Sequence, residues 1–226
     1  MKSRLTVSAV ALLGLAAGAF FFTQPERARA VELPNPTADA PKASAPGEEK
    51  AVLAGGCFWG MQLVFEHVKG VKHVTAGYAG GSKETAEYEV VSSGTTGHAE
   101  SVEITFDPSV VSYGQILKVY FGVAHDPTEL NRQGPDEGTQ YRSSIFFENP
   151  DQQQVAKAYI DQLQAAHVYP APIVTTLTPL QAFYPAEDYH QDYAVHHPDN
   201  PYIAFNDLPK LNDLKQDLPD LYVASN

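Results

Sequence analysis

The chain has 226 residues, a net charge of −12 at pH 7, one cysteine and one tryptophan. An acidic chain without a basic stripe excludes nucleic acid as a partner. A single thiol excludes an internal disulfide, so packing alone must hold the core, and the length suffices for one domain that does so.

Lys2 and Arg4 precede an apolar run from Leu5 to Phe22, and Ala28-Arg29-Ala30 follows it. That order reads as a secretory signal over 1–30, cleaved after Ala30, and points to an exported, periplasmic protein. The apolar run approaches the roughly 18 residues of a bilayer span, so a retained N-terminal anchor is the alternative. Residues 31–49 are rich in Pro, Ala, Ser and Thr and read as an exposed linker. Residues 50–226 read as the folded, catalytic domain.

Within that domain an apolar run, Ala51 to Ala54, leads through Gly55-Gly56 into a helix over Phe58 to Val68. Its spacing turns Leu63, Phe65 and Val68 inward and Gln62, Glu66 and Lys69 to water, and Gly70 ends it. Strands are expected at 71–78, at 88–92 and at 99–106, where strict alternation puts Val102, Ile104 and Phe106 on one face. A helix capped by Ser112 covers 113–123. The stretch from His125 to Tyr141 fits no regular element, and long ordered loops often carry function. A strand at 142–147, a helix from Pro150 to Ala166, a strand at 173–177 and a short aromatic helix over 183–193 follow. The tail from Asp199 reads as irregular. The order predicts an α+β fold: a two-layer mixed or antiparallel sheet with packed helices, extensive coil and a ferredoxin-like core.

Cys57 stands where the helix begins. Free N–H groups and the positive helix end favour a thiolate there, and Phe58 and Trp59 wall it with aromatic surface. A buried, inert thiol is the competing reading. Glu100 falls on the Val102, Ile104 and Phe106 face of the 99–106 strand: turned inward, a buried carboxyl keeps its proton near neutrality and can donate it, and a rim carboxylate in water is the competing reading. Tyr141 in the polar loop and Tyr88 are phenols able to donate to an oxygen that gains charge. The histidines match no tetrahedral metal spacing, so no metal is expected. These residues leave several chemistries open: a thiol reductase, a thiol hydrolase or peroxidase using His98 or His190, or a binding module with an aromatic surface.

Six blocks then fall in one order: Gly56-Cys57-Phe58-Trp59-Gly60; Gly77-Tyr78-Ala79-Gly80-Gly81; Ser93 to Glu100; His125-Asp126-Pro127-Thr128; Gln133-Gly134 with Asp136 and Gly138 to Ser143; and Phe183-Tyr184 with Ala186 to Gln191. This series, spread over Ala51 to Tyr202, resembles the A-type peptide methionine sulfoxide reductases. The resemblance implies Cys57 as nucleophile and Glu100 as the acid that protonates the sulfoxide oxygen. It implies Tyr88 and Tyr141 as the phenols on that oxygen, Phe58 and Trp59 as the pocket for the ε-methyl group, and Asp136 as the loop acid that orders the site. The implied reaction reduces the S epimer of methionine sulfoxide, free or in oxidised proteins, through a Cys57 sulfenic acid, with no bound cofactor. Many relatives carry further cysteines near the C-terminus that resolve this intermediate. None stands here, so an external thiol, a thioredoxin-like protein or a small thiol, is expected as partner of a monomeric enzyme. Many relatives have glutamate where Gln62 stands, which reads as a helix-surface change.

Overall fold

The alternating stretch Ala99–Phe106 lies at the centre of a six-stranded sheet. In a computed structural model, which describes residues 33–224, the elements are β1 (Glu49–Ala54), α1 (Phe58–Glu66), β2 (Val71–Ala79), α2 (Tyr88–Val91), β3 (Ala99–Phe106), α3 (Tyr113–Val119), β4 (Arg132–Gln133), β5 (Asp136–Glu137), β6 (Ser144–Phe147), α4 (Pro150–Ala165), β7 (Thr176–Pro179), β8 (Phe183–Pro185), α5 (Tyr193–His196) and α6 (Leu208–Asp217). The signal read over 1–30 lies outside the described residues.

The strand order is β7-β6-β1-β3-β2-β8. β3 lies antiparallel between β1 and β2, β1 is antiparallel to β6, and only the β6–β7 pair is parallel. The inner four, β6-β1-β3-β2, with helical crossovers from β1 to β2 and from β3 to β6, form the interleaved β-α-β-β-α-β arrangement of a ferredoxin-like core. One sheet face, with Leu53, Val74, Val102, Ile104, Phe106 and Ile145, packs on Met61 and Phe65 of α1 and Ile116 and Leu117 of α3. The other carries a smaller cluster of Val52, Ala54, Ala79, Ala99 and Phe146.

Local chemistry accounts for the helix starts. Ser112 and Gln115 form a reciprocal capping box at α3, with Gln115 N–H to Ser112 Oγ at 3.2 Å and Ser112 N–H to Gln115 Oε1 at 3.1 Å. Asn149 caps α4 through Gln152 N–H at 2.9 Å, with Pro150 in the first turn.

Several elements depart from expectation. Residues 33–47 are no free linker. Leu33 is buried in the core, Tyr159 donates to Pro34 O at 2.9 Å, and Asp39 accepts from Gly114 N–H at 2.9 Å. The stretch at 88–92 is helical rather than extended, because the Glu187 carboxylate accepts Tyr88 N–H at 2.8 Å and supplies a helix-start acceptor. Residues 183–193 divide into strand β8 on the β2 edge, a short 3₁₀ turn at 188–190 and the start of α5. The tail is not irregular. A π-helical turn, Ile203–Asp207, leads into α6, whose Pro209 sits in the first turn where its missing N–H costs nothing. α6 packs against α1.

Candidate active site

Every predicted site residue belongs to a segment drawn toward the start of α1. Gly56, at φ +89°, makes the turn out of β1, and a Cβ there would meet Gln133 Cγ at 2.5 Å. The glycine therefore serves conformation and the close approach of the β4–β5 hairpin together. His125 packs over Gly55. Its Nδ1–H donates to Tyr120 O at 2.9 Å and its Nε2 accepts from Ser143 Oγ at 2.7 Å. Burial lowers its pKa to about 4, so this ring is a neutral structural pin. Gln133 closes the hairpin base through Asp126 N–H and Asp126 O, both at 3.0 Å.

Cys57 is the N-cap of α1 and only 9% exposed. Glu100 Oε2 accepts Phe58 N–H at 3.1 Å, which fixes the buried acid beside the residue next to the thiol. Burial pushes Glu100 up to about 8, against the pull of Phe58 N–H, and the charge of Asp136 adds to the rise. This carboxyl is uncharged at neutral pH.

The thiol does not follow the helix-end argument. Burial pushes Cys57 well above its ordinary range, the charges of Glu100, Asp207 and Asp136 push the same way, and the Trp59 N–H opposes them. The helix terminus divides its free N–H groups between acid and thiol, and desolvation outweighs what remains. At rest Cys57 is a thiol, not a thiolate.

Tyr88 and Tyr141 lie within electrostatic reach of this pair. Burial raises both phenols, and Glu100 and Cys57 would raise each further once ionised. Both stay protonated at neutral pH and can donate. Trp59 donates Nε1–H to His190 Nδ1 at 3.2 Å and stacks on Tyr193 at 3.9 Å between ring centroids, with Tyr202 edge-on at 6.1 Å. Phe58 is fully buried behind it, 5.0 Å from the His190 ring and 5.8 Å from Tyr78. Phe58 thus backs the aromatic wall while Trp59 fronts it. Asp136 is hydrogen-bonded by the Tyr202 hydroxyl, which ties the polar loop to the C-terminal segment.

Four features escaped the sequence reading. Gln62 does not face water. It is 2% exposed, donates to Val74 O at 3.1 Å and Asp192 Oδ1 at 3.2 Å, and accepts Asp192 N–H at 2.9 Å. It thereby positions the start of α5 and with it the Tyr193 ring on Trp59. Arg142 clamps the carbonyls of Gly97, His98 and Thr139 at 2.8–3.0 Å and, among the described residues, forms no salt bridge. Glu187 accepts both Tyr78 OH at 2.9 Å and Tyr88 N–H. Asp207 is fully buried against Gly60. A signal for the last existed in the glycine closing the Cys57 motif: its Cβ would meet Asp207 Oδ1 at 2.1 Å.

His98 holds the 80–82 turn, accepting from Gly81 N–H at 3.2 Å and donating to Ser82 O at 2.9 Å, and His190 is engaged with Trp59. Neither is free to act as a base on Cys57. A cavity of about 340 Å³ lined by Glu66, His73, Asp192 and His196 lies at the opposite end of α1 from Cys57. Among the described residues no cluster of His, Cys, Asp and Glu is arranged to hold a metal ion.

A buried acid, a thiol, two phenols and an aromatic wall are what is needed to move oxygen from one sulfur to another. The sequence model described as "Peptide methionine sulfoxide reductase" matches residues 49–220. The chain is 63% identical over 179 residues to peptide methionine sulfoxide reductase MsrA 2 of Mesorhizobium japonicum, covering 79% of this chain and 92% of that protein. It is 50% identical over 216 residues to MsrA 2 of Synechocystis sp., covering 95% and 99%. Among solved structures it resembles reduced Mxr1 from Saccharomyces cerevisiae, with a TM-score of 0.61 and 29% identity over 71% of this chain and 94% of that one. It also resembles methionine sulfoxide reductase A of Corynebacterium diphtheriae, with a TM-score of 0.57 and 34% identity over 74% and 85%. The chain therefore belongs to the peptide methionine sulfoxide reductase family.

Proposed function

We propose that this methionine sulfoxide reductase acts on the S epimer, in proteins and as the free amino acid, with Cys57 attacking the sulfoxide sulfur. The observation that carries the reading is Glu100, buried and held on Phe58 N–H at 3.1 Å next to Cys57, where burial raises its pKa to about 8. A sulfoxide has a positive sulfur and a negative oxygen, and the oxygen must be neutralised as the sulfur is attacked. Glu100 gives it a proton, and the Tyr88 and Tyr141 hydroxyls hydrogen-bond it while charge develops. The hydroxyl passes to the Cys57 sulfur, methionine leaves, and the thiol proton of Cys57 restores Glu100. The thiol and the sulfoxide become a sulfenic acid and a thioether, two electrons pass to the methionine sulfur, and no net proton is consumed. Trp59, backed by Phe58 and bordered by Tyr193, Tyr202 and Asp136, receives the ε-methyl group.

An external thiol clears the sulfenic acid, because Cys57 is the only cysteine in the chain. A thioredoxin-like dithiol or a small thiol fits that step. The basic start, apolar run and Ala28-Arg29-Ala30 support a site of action outside the cytoplasm, on oxidised envelope proteins.

The test is a single turnover. Protein incubated with methionine S-sulfoxide and no reductant forms one methionine per Cys57, and dithiothreitol makes the reaction catalytic. Turnover of the R epimer in place of the S, or methionine formation by Cys57→Ser, overturns the reading.

A further inference from the structure

The recycling half of the cycle has a proton to place. An incoming thiol must lose one as its sulfur bonds to the Cys57 sulfur, and the departing hydroxide must gain one to leave as water. Glu100 stands on the Phe58 N–H side of the thiol. The C-terminal segment supplies a second acid.

Asp207 ends the π-helical turn Ile203–Asp207 and is 0% exposed. Its Oδ1 faces Lys210 Nζ at 3.3 Å and lies against Gly60. Gly60 is three residues after Cys57, one helical turn along the same side of α1. Among the described residues, Asp207 Oδ2 has no hydrogen-bond partner. An acceptor left unsatisfied in the interior costs about 1–3 kcal/mol. Asp207 sits one helical turn along α1 from Cys57, close enough for its charge to act on that thiol, and its free oxygen is an acceptor waiting for a donor.

We propose that Asp207, held by Lys210, accepts the proton of the external thiol that attacks the Cys57 sulfenic acid and returns it to the departing hydroxide. This rests on the sulfenic acid chemistry proposed above. The Cys57 S–O bond breaks, a Cys57–thiol disulfide forms, and the thiol proton leaves with the hydroxide as water. A second external thiol then displaces Cys57 and reduces the disulfide. Charge supports the assignment. Burial raises the Asp207 carboxyl against the pull of Lys210, which moves it toward the range of a thiol. The other titratable groups that act in this region are Asp136, the Tyr202 hydroxyl, Cys57 and Glu100.

The experiment separates the two halves. Asp207→Asn, treated with methionine S-sulfoxide alone, is read for methionine per protein. Dithiothreitol is then added at about pH 6.5 and at about pH 9, on either side of an ordinary thiol pKa of ~8.5, and loss of sulfenic acid is followed by dimedone trapping. The expected result is a methionine burst of normal stoichiometry and recycling slowed about 10²-fold at the lower pH, the usual size of general-base catalysis. The deficit shrinks at the higher pH, where the attacking species is already thiolate. Wild-type recycling at the lower pH, or a deficit equal at both, overturns the assignment. Absence of a burst from the wild-type protein overturns the sulfenic acid reading instead. Lys210→Met is read in parallel: without its cation the Asp207 carboxyl rises, and the acid limb of the recycling profile moves to higher pH. An unmoved limb also overturns the assignment.

Discussion

Glu100→Gln separates what the buried acid does for chemistry from what it does to stability. The side chain keeps its size and an oxygen able to accept Phe58 N–H, and it loses the transferable proton. Removing one donor from a developing oxyanion costs about 10²–10³ in rate. The methionine burst should slow by that factor without losing its stoichiometry. In the wild type the burst rate should fall above about pH 8, as Glu100 loses its proton.

Stability should move in the opposite sense. A carboxyl held at about 8 against an ordinary 4.5 binds more protons in the folded than in the unfolded state between those values. Its contribution to stability is therefore lost as pH rises through that window. At about 1.4 kcal/mol per pKa unit the full swing is on the order of 5 kcal/mol. Other raised groups, such as Glu66 at about 8, titrate in the same range, so the diagnostic quantity is the difference between the two proteins. Urea unfolding from about pH 5 to 9 should give Glu100→Gln a flatter profile, with its advantage growing toward alkaline pH. Parallel profiles for the two proteins would refute the claim that Glu100 is buried and protonated, and the proton-donor role would go with it.

Three further outcomes follow from the same contacts. Gly60→Ala forces a Cβ onto Asp207 Oδ1 and Lys210 Nζ, and should lower stability by about 1–3 kcal/mol in denaturant melts. Gln62→Leu leaves Val74 O and Asp192 N–H without that partner and should cost about 1–3 kcal/mol, with a rise in KM as the Tyr193 ring loses its register on Trp59. Tyr193→Ala removes the 3.9 Å stack and should raise KM more than it lowers kcat, by about 0.5–1.5 kcal/mol in kcat/KM against a peptide sulfoxide.

What was legible in the sequence was local. Period-two alternation identified β3 and turned Glu100 inward, and the Gly55-Gly56 turn fixed where α1 begins. The misreadings have a common cause, a partner far away in the chain. Gln62 occupies a position that helical spacing assigns to water, and Asp192, 130 positions later, hydrogen-bonds it and takes it out of solvent. The 88–92 stretch has strand-forming residues, and Glu187 caps it as a helix. Pro209 and Pro219 made the tail look broken, although the first merely starts α6 and the second follows its end. The thiol was misjudged for a related reason. The helix terminus is visible in the sequence, whereas the burial of Cys57 and the three acidic residues that act on it come from segments far apart in the chain.

The raised thiol and the raised acid make sense together. A thiolate in this pocket would share a desolvated space with Asp136 and Asp207 and would drive Glu100 toward holding its proton still more tightly. Keeping both protons in place leaves the Cys57–Glu100 pair neutral, which is the inexpensive state for groups removed from water. A sulfoxide is neutral as well, so substrate enters without bringing charge inside. On the mechanism proposed above, separated charge exists only while oxygen is in transit, when Glu100 supplies the proton. Lys210, a cation beside these acids, is engaged with Asp207 rather than with the thiol. A neutral resting pair is thus compatible with the oxygen-triggered proton transfer proposed above, and it presents no standing thiolate to oxidants.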